Sequence, residues 1–126
     1  NPLWFHLLGD LQQGRHHYRE AVIAYEKALA LAPEHPEVLN NFAWVLLTAT
    51  DAGVRDPAKA LMLARIAAAQ RPAGYILDTL ATAYWQNGFP EMAQQTEQEA
   101  IRVDPEHRNY YEKQLQRFSG GAEETR

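Results

Sequence analysis

Cysteine is absent from this sequence, which excludes a disulfide framework and a thiolate metal site. No run of apolar residues is long enough to cross a bilayer. Basic residues are few: 12 Lys and Arg stand against 16 Asp and Glu, and the net charge of −4 argues against nonspecific nucleic-acid binding. None of these absences decides a compartment, so cytoplasm and periplasm both stay open. Because the chain begins with Asn1, we expect a processed product or a piece of a longer protein.

Catalytic motifs are missing as well. Ser119 is the single serine and lies in a polar C-terminal stretch, and no Gly-x-Ser-x-Gly, P-loop or dinucleotide motif occurs. The histidines form neither a His-x-x-Glu-His motif nor a pair spaced by four residues, as a helical zinc site requires. They are His6, His16, His17, His35 and His107. We therefore expect no catalytic residue, no metal site and no cofactor, and the predicted function is not enzymatic.

The sequence does contain a repeated pattern of small residues. In each copy the first alanine lies 12 residues before a proline and the last alanine lies 5 before it. Successive prolines are 39 and 33 residues apart, which indicates a stacked array, because one helical hairpin cannot bury its own apolar face. The copies are Ala21, Ala24, Tyr25, Ala28 and Pro33; Ala60, Ala64, Ala67 and Pro72; and Ala93, Glu97, Ala100 and Pro105.

Apolar periodicity and turn residues predict seven helices. Gly9 in the first helix is expected to allow a close approach by its neighbour, and a long loop over 50–56 is expected to separate the third and fourth helices. The predicted helices cover 3–13, 18–31, 37–48 and 58–71, then a fifth between Gly74 and Asn87, a sixth between Pro90 and Pro105, and a seventh over 108–118.

These hairpins resemble the tetratricopeptide repeat family. The family places a large residue, a leucine and a small residue on the first helix of each repeat, and alanine, an aromatic residue, alanine and proline on the second. The matching residues are Phe5, Leu8, Gly9, Ala21, Tyr25, Ala28 and Pro33; Leu39, Phe42, Ala43, Leu46, Ala60, Ala67 and Pro72; and Leu77, Leu80, Ala81, Tyr84, Gly88, Ala93, Ala100 and Pro105. The longer middle repeat is similar to bacterial members of the family.

The resemblance implies an all-α fold: a right-handed superhelical array of three helix-turn-helix repeats with a C-terminal capping helix. The repeats would cover about 2–35, 36–73 and 74–107, and the cap 108–118, so that residues 1–118 form the repeat domain. Residues 119–126 are expected to form a disordered tail. Glu97 departs from the family by replacing the aromatic residue, and we expect it to snorkel or to pair with Arg102 or Arg108.

A concave wall made by the first helix of each repeat is the expected binding groove for a protein or peptide partner. Among the predicted groove residues, Trp44, Leu47, Tyr75 and Trp85 are typical of binding hot spots. The alternative, that Trp44 and Trp85 pack against adjacent repeats or the loop after Thr50, stays open. The groove residues are His6, Asp10, Gln13, Glu37, Asn40, Asn41, Trp44, Leu47, Thr48, Tyr75, Asp78, Thr82, Trp85 and Gln86.

The chemistry of this wall indicates what it binds. Some family members grip a C-terminal carboxylate with Lys, Arg and Asn at wall positions that hold His6, Asp10, Asn41, Tyr75 and Thr79 here. Only Asn41 matches, and Asp10 repels a carboxylate, so a chaperone-tail clamp is disfavoured. The acidic groups predict instead a partner that is apolar or aromatic with some basic character.

A second apolar face, formed by Trp4, Leu7 and Leu11, is predicted on the first helix. It is expected to meet an upstream repeat or another copy of the chain, unless Trp4 folds over the end of the array as a cap. The function predicted first is a non-catalytic interaction scaffold. The alternatives are a self-associating structural module, or the repeat portion of a larger multidomain enzyme or membrane-anchored protein.

Overall fold

Prolines set the starts and ends of most helices. The computed structural model of the chain describes the backbone of residues 1–124 and the side chains of residues 1–119, and within that part the chain is all-helical, as predicted. One 3₁₀ turn, Pro105–His107, precedes the last helix. The α-helices are α1 (Pro2–Gly14), α2 (Tyr18–Leu31), α3 (Pro36–Thr48), α4 (Pro57–Gln70), α5 (Gly74–Gln86), α6 (Pro90–Val103) and α7 (Arg108–Glu124).

The three repeat prolines occupy equivalent places. Pro33, Pro72 and Pro105 each follow the residue that caps the C-terminus of α2, α4 or α6, where a missing backbone N–H costs nothing to the helix. Four other prolines begin α1, α3, α4 and α6, a position that tolerates their fixed φ. At the start of α4 the side chain of Asp56 accepts a hydrogen bond from the backbone N–H of Lys59 at 3.1 Å, as expected of an N-cap.

The helices pack as three successive hairpins. α1 packs on α2, α3 on α4 and α5 on α6, and α7 closes the array by packing on α6. The first helices of the hairpins also touch one another in the order α1, α3, α5, and α5 touches the capping helix α7. The main core spans the first two hairpins and reaches Ile76 and Leu80 of α5, while smaller clusters around Tyr111 and Phe118 attach α7.

The tightest contact between two helices lies in the first hairpin. Gly9 of α1 is buried against the ring of Tyr25 of α2, so closely that a Cβ on Gly9 would lie 2.4 Å from Tyr25 Cε1. On its other side Tyr25 stacks on Phe42 of α3, with ring centroids 5.9 Å apart. One aromatic side chain therefore joins α1, α2 and α3, which confirms the close approach predicted at Gly9.

The C-terminal boundary differs from the prediction. α7 continues to Glu124, beyond the expected end at Phe118, because Ala122, Glu123 and Glu124 are good helix formers. Of the predicted disordered tail 119–126, Thr125 and Arg126 and the side chains from 120 onward lie outside the described residues, and its disorder stays a prediction. In the part of the chain that is described, no helix has the length and apolar character to span a bilayer.

Gly9→Ala tests the close approach of α1 and α2. The added methyl group has no room against the Tyr25 ring, and we expect it to lower the free energy of unfolding by about 1–3 kcal/mol. Gly14→Ala is the matched control, since a Cβ there would meet nothing within 4 Å; it should be neutral or slightly stabilising. Urea denaturation measures both, and equal stability of the two variants would contradict this packing.

Candidate functional site

An open cleft of about 420 Å³ lies between α3, α5 and the segment leading into α7. Its walls combine aromatic rings with carboxylates and amides. α3 contributes Asn40, Asn41 and Trp44, and α5 contributes Tyr75, Asp78 and Thr79. The opposite wall consists of Asp104, His107, Tyr110 and Tyr111.

Five of the predicted groove residues line this cleft: Asn40, Asn41, Trp44, Tyr75 and Asp78. The wall on the side of α7 was not predicted. The sequence places Asp104 and His107 at the end of the third repeat and Tyr110 and Tyr111 in the cap, and apolar periodicity reveals only the core-facing side of the cap. The adjacent tyrosines at 110 and 111 were the available signal, because successive helical residues lie about 100° apart and can therefore face different neighbours.

The segment that leads into α7 is positioned by a hydrogen bond that lies next to Gly74 of α5. The Tyr111 hydroxyl donates to Asp104 Oδ2 at 2.6 Å, and this bond, followed by the contact with His107, lowers the pKa of Asp104. A Cβ on Gly74 would lie 2.6 Å from both the Tyr111 hydroxyl and Asp104 Cβ. Gly74 therefore lets the start of α5 fit beneath this bond, which fixes the outer wall of the cleft.

The predicted groove residues of α1 form a polar network next to the cleft. The Tyr25 hydroxyl lies 2.6 Å from Asp10 Oδ1 and 3.0 Å from Gln13 Oε1. Burial and then the Asp10 carboxylate raise the pKa of this hydroxyl, so it remains a donor. Asn41 Nδ2 donates to Asp10 at 3.0 Å, and His6 Nε2 is 3.3 Å from Asp10 Oδ2. The side chains of α1 therefore hold Asn41 in place.

Nine of the predicted groove residues do not line the cleft, and the assignment of four of them, on α3 and α5, is corrected here. Leu47 is 1% exposed and Thr82 is 2% exposed, because α3 and α5 pack directly on each other and cover these positions. Gln86 Nε2 donates to the Leu47 carbonyl at 3.0 Å, which ties the two helices together. Thr48 is exposed, but it lies outside the cleft and its hydroxyl donates to the Trp44 carbonyl at 2.7 Å.

Trp85 also has a different environment from the one predicted. Its ring packs against Phe118 of α7 with centroids 5.8 Å apart, and the Arg117 guanidinium lies 5.4 Å above it. Trp85 therefore packs on the capping helix, which is neither an adjacent repeat nor the loop after Thr50. Trp44 is only half-buried and lines the open cleft.

Glu37 and Tyr75, both predicted for the groove, meet at the junction of the second and third hairpins. The Tyr75 hydroxyl donates to Glu37 Oε1, and the same carboxylate forms an ion pair with Arg71. Burial, followed by the bond to Glu37, raises the pKa of Tyr75. The charge of Glu37 is thus balanced by Arg71 within the fold, whereas the Tyr75 ring remains exposed at the cleft.

Glu97 does not snorkel, and the predicted pairing with Arg102 or Arg108 is wrong. Arg102 pairs with Glu99 and Arg108 with Glu112, while Glu97 is fully buried in α6. Its hydrogen-bonding neighbour is the carboxyl group of Asp78. Two ionised carboxylates repel each other, so one proton must lie between them. Burial and then the Asp78 charge raise the pKa of Glu97 to about 10, which places that proton on Glu97.

Glu97→Gln is expected to stabilise the domain at neutral pH by on the order of 2 kcal/mol, because glutamine supplies a donor to Asp78 without a buried ionisable group. The folded-state pKa of Glu97 lies above its ordinary value of 4.5, so the folded state binds the extra proton. Wild-type stability relative to Glu97→Gln should therefore fall as pH rises above 4.5 and toward 10. The slope is at most about 1.4 kcal/mol per pH unit.

Chemical denaturation of the wild type and Glu97→Gln at pH 6 and pH 8 measures this difference. Glu99→Gln is the matched control, since Glu99 is on the same helix but pairs with Arg102 near the surface. A stability difference between wild type and Glu97→Gln that does not change with pH would contradict the shared proton.

The apolar face predicted on α1 is exposed. Trp4 is 63% exposed, Leu7 55% and Leu11 54%, so Trp4 does not fold over the end of the array. Among the described residues, no group of three or more His, Cys, Asp and Glu side chains is arranged to hold a metal ion.

Comparison with known proteins gives matches for the first hairpin and for the whole fold. Residues 2–35 match the tetratricopeptide repeat family. A solved structure of the first TPR of Spaghetti (RPAP3) bound to the HSP90 peptide SRMEEVD resembles this chain with a TM-score of 0.83. The two are 17% identical, and the match covers 96% of this chain and 92% of that chain. Among curated proteins no match is found.

Proposed function

We propose that the chain is a non-catalytic module that binds a partner polypeptide in the cleft between α3, α5 and α7. Its first hairpin matches the tetratricopeptide repeat family, and its fold resembles that of a solved TPR domain. The observation that carries this proposal is the open cleft itself, with Trp44 half-buried in its wall. An aromatic ring that is held by a rigid helix and still reaches solvent contributes strongly to binding when a ligand covers it.

The charge of the cleft supports a partner of apolar or aromatic character with basic residues. Asp78 and Asp104 line it, and neither lysine nor arginine is among its lining residues. The peptide bound by the Spaghetti domain, SRMEEVD, has three acidic residues and one basic residue and is therefore negatively charged. Asp10 and Asp78 would repel such a sequence here, so a partner of the opposite charge fits better. An extended segment or a short helix could lie along the exposed faces of α3 and α5.

Trp44→Ala is expected to weaken binding of a partner peptide by about 2 kcal/mol, or roughly 30-fold, because the ring is lost from the cleft wall. The ligands are peptides selected from a displayed library of random linear sequences, with affinities measured by isothermal titration calorimetry. The melting temperature of Trp44→Ala should change little. Trp85→Ala should lower it, because its ring packs on Phe118 of the capping helix.

Trp4→Ala is the matched control, since Trp4 is exposed on α1 and lies outside the cleft. Its peptide affinity should equal that of the wild type. If the library yields no binder, or if Trp4→Ala loses as much affinity as Trp44→Ala, the cleft is not the binding site.

Self-association is a second candidate function, supported by the exposed apolar face of α1. Contiguous apolar surface of this kind is characteristic of interfaces, and Trp4, Leu7 and Leu11 are each more than half exposed. We propose that two copies pair through this face.

Sedimentation at several protein concentrations should show a dimer that the Trp4→Glu/Leu7→Glu variant loses. Met62→Glu, on an exposed site of α4, should leave it intact. A wild-type protein that stays monomeric at every concentration contradicts pairing through α1.

A further inference from the structure

The floor of the cleft contains a buried negative charge with no cation beside it. Asp78 is 5% exposed, and among the described residues no Lys, Arg or His side chain forms an ion pair with it. Behind it lies Glu97, and burial raises the pKa of both carboxyl groups. Because the pKa of Glu97 rises to about 10, Glu97 holds the shared proton at neutral pH and the charge of the pair falls on Asp78. An unpaired buried carboxylate is costly, and a ligand cation that reached it would recover much of that cost.

The basic groups in the region of Asp78 interact with other residues. The Arg117 guanidinium lies over the Trp85 ring and donates to Gln114 Oε1 at 2.7 Å. Burial raises the pKa of Asp78, and the Arg117 charge offsets that rise only in part. His107 faces the cleft, but its Nδ1 is 2.9 Å from Asp104 Oδ2. The positive charges in this region therefore support an ionised Asp78 without neutralising it.

Hydrogen-bond acceptors at the cleft floor also exceed the donors. Asn40 Oδ1 is buried without a hydrogen-bond donor among the described residues. Asp78 Oδ1 is also buried and has no donor there besides the carboxyl group of Glu97. The only hydroxyl that reaches Asp78 is that of Tyr110, at a long 3.4 Å. Buried acceptors without donors are costly, so a ligand rich in N–H groups suits this floor.

We propose that the cleft is a pocket for an arginine side chain of the bound polypeptide, whose guanidinium pairs with Asp78 and packs on the ring of Trp44 or Tyr110. This assignment rests on the proposed peptide-binding function and specifies the residue that the partner supplies. It accounts for the coexistence, in one cleft, of a carboxylate without an ion-pair partner and exposed aromatic rings.

Arginine fits these walls better than lysine does. A guanidinium is planar, carries five N–H donors, packs flat on an aromatic ring and sheds its water more easily than an ammonium group. Lysine presents a compact charge with no flat face, so it would pair with Asp78 but leave the rings less well covered. The same reasoning predicts a preference for arginine over its neutral isostere citrulline, which keeps the flat shape and loses the charge.

The first experiment needs no partner. Nα-acetyl-arginine methylamide and the matching citrulline and lysine compounds are titrated into the ¹⁵N-labelled protein, and the Trp44 indole and Tyr110 amide signals are followed. Saturable shifts are expected with the arginine compound, at least about tenfold weaker binding with citrulline, and intermediate binding with lysine. Asp78→Asn should remove the difference in affinity between the arginine and citrulline compounds. Asp51→Asn, which removes an exposed carboxylate paired with Arg19, should preserve it.

The second experiment uses peptides selected from the displayed library, with each arginine replaced in turn by citrulline. One position should lose at least about tenfold in affinity for the wild type. If the peptides bind but tolerate every replacement, the arginine pocket is wrong and the binding function stands. If no peptide binds while the arginine compound still shifts Trp44, the pocket stands and the proposed function fails. Equal shifts with the arginine and citrulline compounds would contradict the arginine pocket. This comparison uses the wild-type protein, so it can be made even if Asp78→Asn does not fold.

Discussion

The packing of Tyr25 against Gly9 is the contact on which the rest of the array depends. Because Gly9 has no side chain, α1 and α2 approach closely enough for one ring to be fully buried between them and to stack on Phe42 of the next hairpin. Its hydroxyl then orders Asp10, which in turn holds Asn41 at the edge of the cleft. A single buried aromatic side chain thus links the first hairpin, the second hairpin and the candidate site.

The same place in the other repeats is filled differently, and the differences create the site. The second repeat has Ala64, which is buried in the continuous core. The third has Glu97, which cannot pack like an aromatic ring and instead shares a proton with Asp78. A structural departure from the repeat pattern therefore leaves a negative charge at the floor of the cleft. Natural proteins often break local rules of this kind at functional sites.

The sequence predicted the helices well because proline, glycine and helical periodicity are local signals. Pro33, Pro72 and Pro105 indicated the three equivalent helix ends, and Gly9 indicated the closest helix contact. The environment of Leu47 and Trp85 could not be predicted in this way, since it depends on how far α3 approaches α5 and where α7 crosses. Glu97 drew attention as a departure from the repeat pattern, but its partner is on a different helix, at a distance in sequence that no local pattern encodes.

We propose that a polypeptide binds in the cleft between α3, α5 and α7. Chemical-shift mapping of a selected peptide on the ¹⁵N-labelled protein tests this most directly. It should place the largest changes at the Trp44 indole and at amides of α3, α5 and α7 that face the cleft, and leave the outer face of α4 around Met62 and Ile66 unchanged. Changes concentrated on that outer face, or on α1 around Trp4, would contradict it.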